Sequence, residues 1–201
     1  MALISLGDLD GSTTKAYGPE LRSKSASTIF EEDTKKYGWD YTFDIFLSHS
    51  YNDARMTLDR LLGLKAILQQ FDYSVYVDWI IDNHLDREKV TPQTARVLRN
   101  RMDHSKSLVF TTSQNSQHSL WMPWELGYKD GHTAKDGELG MVAILPIAQY
   151  QGQSSFEGQE YLGMYPYIDY ANDRAGRQRL WVNQDGKSVN FDAWLAGTKP
   201  V

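Results

Sequence analysis

Short apolar runs separated by stretches long enough for a helix constrain this chain more than any other feature. Tyr41-Thr42-Phe43-Asp44-Ile45-Phe46-Leu47-Ser48, Tyr73-Ser74-Val75-Tyr76-Val77-Asp78-Trp79, Ser107 to Thr112 and Met141 to Ile147 are β-branched or aromatic and read as strands. The last is apolar enough to be covered on both faces. Between the first two, Leu58, Leu61, Leu64, Leu68 and Phe71 recur at three and four residues, the period of an amphipathic helix. Gly63 within that helix costs about 1 kcal/mol relative to Ala. A second helix is expected from about Pro92 to Asp103, with Val97, Leu98 and Met102 inward. A third runs from Leu120 to about Lys129, with Pro123 in its first turn. Tyr165 to Asp169 suits a short further strand, and Val189 to Leu195 a closing helix.

This alternation implies an α/β fold, a flavodoxin-like central parallel sheet of about five strands with helices on both faces. Ligands of such sheets lie outside the carboxyl ends of the strands, which places the loops after Leu47, Asp78 and Thr112 around one crevice. Residues 1–38, rich in Ser, Thr, Gly and Lys, read as an N-terminal extension with one helix from about Pro19 to Tyr37 carrying Leu21, Ile29 and Phe30. Residues 39–201 form the domain with a C-terminal elaboration. Gln149 to Gly163 is a surface connection.

Composition excludes several functions. A net charge of −5 offers no basic face, so nucleic acid is not an expected partner. Cysteine is absent, which removes disulfides, thiolate metal sites and cysteine nucleophiles. The N-terminus has no signal-peptide pattern and no apolar run reaches about 18 residues, so no membrane association and a cytoplasmic location are expected. His49, His84, His104, His118 and His132 show no ligand spacing, and no metal is expected. There is no phosphate-binding glycine loop: Gly127 is expected to allow close helix packing and Gly131 to end the helix. A G-x-S-x-G elbow is also missing.

Trp121-Met122-Pro123-Trp124-Glu125-Leu126-Gly127 places Trp121 and Glu125 four apart, on one helix face. Either an indole and a carboxylate share an opening, or the tryptophans pack inward while Glu125 makes a surface pair. Its place after the third strand, at the carboxyl edge where the other two loops converge, favours the first.

With these residues in view the chain resembles the TIR domain family, in its bacterial NAD-consuming type known from anti-phage systems such as Thoeris. Phe43 to Ser50 is similar to the first TIR signature box, Val75 to Asp78 to the second strand, and Ser107 to Ser113 followed by Trp121-x-x-x-Glu125-Leu126 to the third strand and catalytic helix. The resemblance covers about Tyr41 to Asp169. It implies that Glu125 is catalytic and Trp121 shapes its pocket, that Phe46 lies beside the nicotinamide half, and that Ser48, His49 and Asn52 border the substrate. Asp78, Trp79 and the loop through Arg87 are implied to contact the other half of the dinucleotide, although Ile80 to Val90 lacks the glycine common in that loop. NAD⁺ enters as substrate and no cofactor is expected. Self-association through TIR surfaces and a separate effector protein sensing the product are implied partners.

The chemistry is coherent. Ordinary glycosidases use two carboxylates because an alcohol leaving group must be protonated. Nicotinamide in NAD⁺ is already cationic and leaves neutral, so one carboxylate can stabilise the developing ribosyl cation or hold a ribose hydroxyl. Water would then give ADP-ribose, and an internal nucleophile a cyclic product. The expected activity is thus that of an NAD⁺ glycohydrolase or cyclase. A non-catalytic TIR interaction module and a flavodoxin-like deoxyribosyltransferase are the alternatives.

Overall fold

The computed structural model describes residues 2–50, 56–77, 91–112, 119, 121–135, 137–156 and 160–200. Among them a short β1 (Ile4–Ser5) precedes β2 (Phe43–Ser48), β3 (Val75–Val77), β4 (Ser105–Thr112), β5 (Val142–Ala148) and β6 (Tyr167–Asn172). From β2 to β6 all neighbours are parallel and the order is β3-β2-β4-β5-β6. Counted from β2, this is second, first, third, fourth, fifth, the flavodoxin-like order. β1 pairs in parallel with the end of β5, Ile4 opposite Ile147.

The strands are nearly all apolar because both faces of the sheet are covered. The helices are α1 (Leu6–Leu21), α2 (Ala26–Thr34), α3 (Leu58–Gln69), α4 (Pro92–Asp103), α5 (Met122–Thr133) and α6 (Phe191–Leu195). Ile45, Leu47, Val109, Ala143 and Leu145 pack into one core with side chains of α1, α2, α3 and α6. Their chain neighbours Phe46, Leu108, Phe110, Val142 and Ile144 form the other core with Leu98, Met102, Met122 and Leu126 of α4 and α5.

The N-terminal segment departs from its expected single helix. It holds two, and the first begins well before Pro19, which lies inside α1. Ser5 starts it with a capping box: its hydroxyl accepts from the Asp8 N–H, and the Asp8 carboxylate accepts from the Ser5 N–H at 2.8 Å. α1 crosses α3 at Gly63, where a Cβ would stand 2.2 Å from the Leu9 carbonyl oxygen and 2.5 Å from Thr13 Oγ1. The expected propensity cost of Gly63 thus coincides with a contact that only glycine permits. Ile4, Leu9, Ile29 and Phe30 are buried in the same core as the central strands.

The sheet is also wider than the expected five strands. β7 (Gln178–Gln184) and β8 (Lys187–Asn190) continue it antiparallel beyond β6. Asp185 and Gly186 join them with φ of 52° and 77°, the positive pair that a two-residue hairpin turn requires. The further strand begins at Tyr167 rather than Tyr165. The closing helix is shortened to α6, capped by Asn190, whose side chain accepts from the Ala193 N–H at 2.7 Å. Among the described residues no helix is long and apolar enough to cross a membrane.

Candidate active site

Local sequence positions α5. Ser119 Oγ accepts from the Met122 N–H at 3.2 Å, and Pro123 occupies a first-turn position where its missing N–H costs nothing. The Glu125 N–H donates to the Trp121 carbonyl at 2.9 Å, so the two residues lie one turn apart as their spacing requires. Glu125 has 0% of its surface exposed and Trp121 has 6%. Glu125 sits in the first turn, where the helix dipole favours a negative charge.

Ser48 ends β2 and, by strand alternation, faces the same side as Phe46, the side that α5 covers. Its hydroxyl donates to Glu125 Oε2 at 2.6 Å, between groups 77 residues apart and both buried. The pair joins the carboxyl end of the first central strand to the helix after the third. These two strands are neighbours at the topological switch point, where ligands of this architecture lie. A surface ion pair for Glu125 is therefore excluded.

Phe46 is fully buried and its ring stacks on Tyr76 at 5.1 Å. His49 is buried beside Ser48. Trp121 belongs to the same core cluster as Phe46 and meets Trp124 edge-on at 5.5 Å. From there Trp124, Tyr128 and His132 stack outward along α5, with Arg99 of α4 over the first two rings. Asn52, Asp78, Trp79 and Arg87 lie outside the described residues. Among the described residues no group of three or more His, Cys, Asp or Glu side chains is placed to hold a metal ion.

Sequence reasoning missed Lys129, one turn beyond Glu125. It is 2% exposed and donates to the carbonyls of Met102 at 2.7 Å and Ser105 at 2.5 Å, where α4 ends and β4 begins. Burial pushes its ammonium down to about 8, against the pull of Asp103. The available signal was its spacing, i+4 from Glu125 on the inward face. At the far end of the helix, Asp130 accepts from the Gly140 N–H at 2.6 Å and Thr133 Oγ1 from the Met141 N–H at 2.7 Å, tying α5 to the start of β5. The glycines here differ from expectation: α5 runs through Gly131 to Thr133, and a Cβ on Gly127 would meet nothing within 4 Å, so no close packing depends on it.

The parallel order and the buried serine–carboxylate pair at its switch point define a flavodoxin-like α/β domain with a buried, helix-borne glutamate beside its crevice. The chain belongs to the TIR-like domain family of the Thoeris protein ThsB, whose family model matches residues 46–149. It is 46% identical over 175 residues, covering 86% of each chain, to the "Probable 3' cyclic ADP-D-ribose synthase ThsB'" of Bacillus cereus (strain MSX-D12). It is also 38% identical over 90 residues to the "Putative cyclic ADP-D-ribose synthase TIR2" of Cytobacillus dafuensis, a match covering 43% of this chain and 22% of that protein.

Proposed function

We propose that this chain cleaves the nicotinamide–ribose bond of NAD⁺ and closes the remaining ADP-ribose into a cyclic signal, with Glu125 as the catalytic carboxylate. The observation that carries this reading is the buried Ser48–Glu125 hydrogen bond of 2.6 Å at the switch-point crevice. As the C–N bond breaks, its electron pair leaves with the nicotinamide ring, which becomes neutral, and positive charge grows on the ribose. A carboxylate held in one orientation by Ser48 meets that charge in a site of low dielectric. A hydroxyl of the same molecule then bonds to the ribose carbon and releases its proton, or an adenine ring nitrogen bonds there through its lone pair and takes the positive charge onto the base.

The relatives favour internal capture over hydrolysis, since both carry cyclic ADP-D-ribose synthase in their names. Glu125 has no exposed surface, so the groups covering it must move for substrate to reach it. Membership of the Thoeris family supports a role in anti-phage defence, with the cyclic product read by a separate effector in the cytoplasm. Self-association would bring a neighbour's surface to the crevice. Trp121 and Phe46 serve as aromatic walls, and Ser48 and His49 as the polar border. Asn52, Asp78, Trp79 and Arg87 complete the substrate contacts.

The test is NAD⁺ consumption with product identification by mass spectrometry, at high protein concentration and with infected-cell lysate as activator. Glu125→Gln is expected to lower nicotinamide release by about 100-fold or more while the circular dichroism spectrum is unchanged. A wild-type chain that releases no nicotinamide under any of these conditions overturns the enzymatic reading in favour of an interaction module.

A further inference from the structure

A cavity of about 320 Å³ opens between the start of α1, the end of α3, the connection after β5 and the β6–β7 end of the sheet. It lies apart from Glu125. α3 begins on the carboxyl side of β2, after Ser48, and contributes only its last residues here, Ile67 with Gln70 and Phe71 just beyond. No residue of α5 lines it.

The cavity exists because Gly7 and Gly11, one turn apart on α1, leave its wall bare. Neither glycine is needed for the backbone, since neither has a positive φ. Close packing does not require them either: a Cβ on Gly11 would meet nothing within 4 Å, and one on Gly7 only Ser5 Oγ at 3.7 Å. The tight crossing onto α3 is made elsewhere, by Leu9 and Thr13 against Gly63. Gly11, in the helix interior, costs about 1 kcal/mol relative to Ala, and here that cost leaves an open space and no packing gain.

The lining selects a ligand chemistry. Phe71 and Tyr170 supply aromatic walls, and Gln70, Gln151 and Gln178 supply amides that both donate and accept. Among the described residues the lining holds no Lys, Arg or His, and its one charged group is Asp8. Burial opposes ionisation of Asp8, yet hydrogen bonds from Ser5, Gln151 and Tyr170 together hold it below the ordinary carboxylate range. Asp8 also answers the positive end of α1, so a phosphate or carboxylate gains nothing there. A volume at the lower end for small-molecule sites suits one ring system rather than a dinucleotide.

We propose that this cavity is a second binding site, separate from Glu125, for an uncharged aromatic ring with a carboxamide or amino edge. Two sources share that chemistry: the nicotinamide released by the proposed reaction and a free nucleobase. The site stands whether or not the chain cleaves NAD⁺, because its test reads binding and not turnover.

Nicotinamide and adenine are titrated separately into the full chain, with amide chemical shifts and calorimetry as readouts. At least one ring is expected to bind saturably, with shifts at Gly7, Gly11 and Gln151, and the ring that binds identifies the source. Gly11→Leu fills the space and is expected to weaken binding at least about tenfold, with Gln178→Ala weakening it less and Glu125→Gln leaving it unchanged. If Gly11→Leu does not fold, Gln178→Ala carries the comparison. The proposal is overturned if neither ring binds at millimolar concentration, if folded Gly11→Leu or Gln178→Ala binds like wild type, or if Glu125→Gln abolishes binding. The last result would place the ring in the Glu125 crevice.

Discussion

At the scale of single residues, the candidate site rests on two hydrogen-bonded anchors of α5. Ser48→Ala removes the hydroxyl that orients Glu125 Oε2, and nicotinamide release is expected to fall about tenfold or more, with a small change in melting temperature. An unchanged rate would show that Ser48 has no share in the chemistry. Lys129→Ala strips a donor from two buried carbonyls and is expected to destabilise the chain by about 1–3 kcal/mol in urea unfolding. Turnover should drop with it, because the same helix carries Glu125. Glu125 and Trp121 were legible in the sequence, since a spacing of four on a helix after the third strand already puts them at the carboxyl edge. Lys129 was not, because a lysine reads as solvated unless its partners are known, and these are backbone carbonyls from another element.

At the scale of elements, the central strands, α3 and α4 were legible because each carries its own apolar pattern, and α5 was legible at its start through Pro123, although it runs past the stop expected at Gly131. Pro92 to Asp103 occurs with the expected bounds. α1 was hidden by its glycines, its Ser/Thr content and Pro19, which lower intrinsic helix preference. It forms because Leu9 and Thr13 pack on Gly63, a tertiary gain that overrides propensity. Gly63→Ala is accordingly expected to cost about 1–3 kcal/mol, since the clashing atom is a backbone carbonyl that cannot rotate away. Equilibrium unfolding of that variant tests this, and unaltered stability would mean that α1 does not press on α3. The β7–β8 hairpin had a readable signal in Asp185-Gly186 between the alternating Leu180 and Val182 and the following Val189. The closing helix expected from Val189 overlaps only its last two residues, and the rest carries too few apolar side chains to read as strands.

For the whole molecule, a sheet covered on both sides leaves little room for charge, and the exceptions set its response to pH. Lys65, 4% exposed, bonds to Asp33 and lies 5.5 Å over the Phe30 ring, and burial pushes its ammonium down to about 8, as it does for Lys129. Each lysine holds its proton less tightly folded than unfolded. Between about 8 and the ordinary 10.5 the unfolded chain therefore carries more protons, and stability rises with pH. Burial, with a hydrogen bond to Asp192, raises Tyr73 above its ordinary 10.0, and burial likewise raises Tyr128 and Tyr170. Above that pH the unfolded tyrosines lose protons first and stability falls. Urea unfolding measured from neutral to strongly alkaline pH should therefore show a maximum on the alkaline side, and a steady decline from neutrality would contradict it.

The sequence by itself determined the α/β class, the central strands and the placing of Trp121 and Glu125 on one helix, because periodicity and side-chain class are properties of a local stretch of chain. Only the tertiary structure decided that Ser48 meets Glu125, that Lys129 closes the end of α4, that α1 docks on Gly63 and that a bare wall at Gly7 and Gly11 borders an open cavity. Those outcomes depend on which faces meet across long stretches of chain. That is settled by packing and by the need to pair every buried polar group, neither of which leaves a local periodic signature.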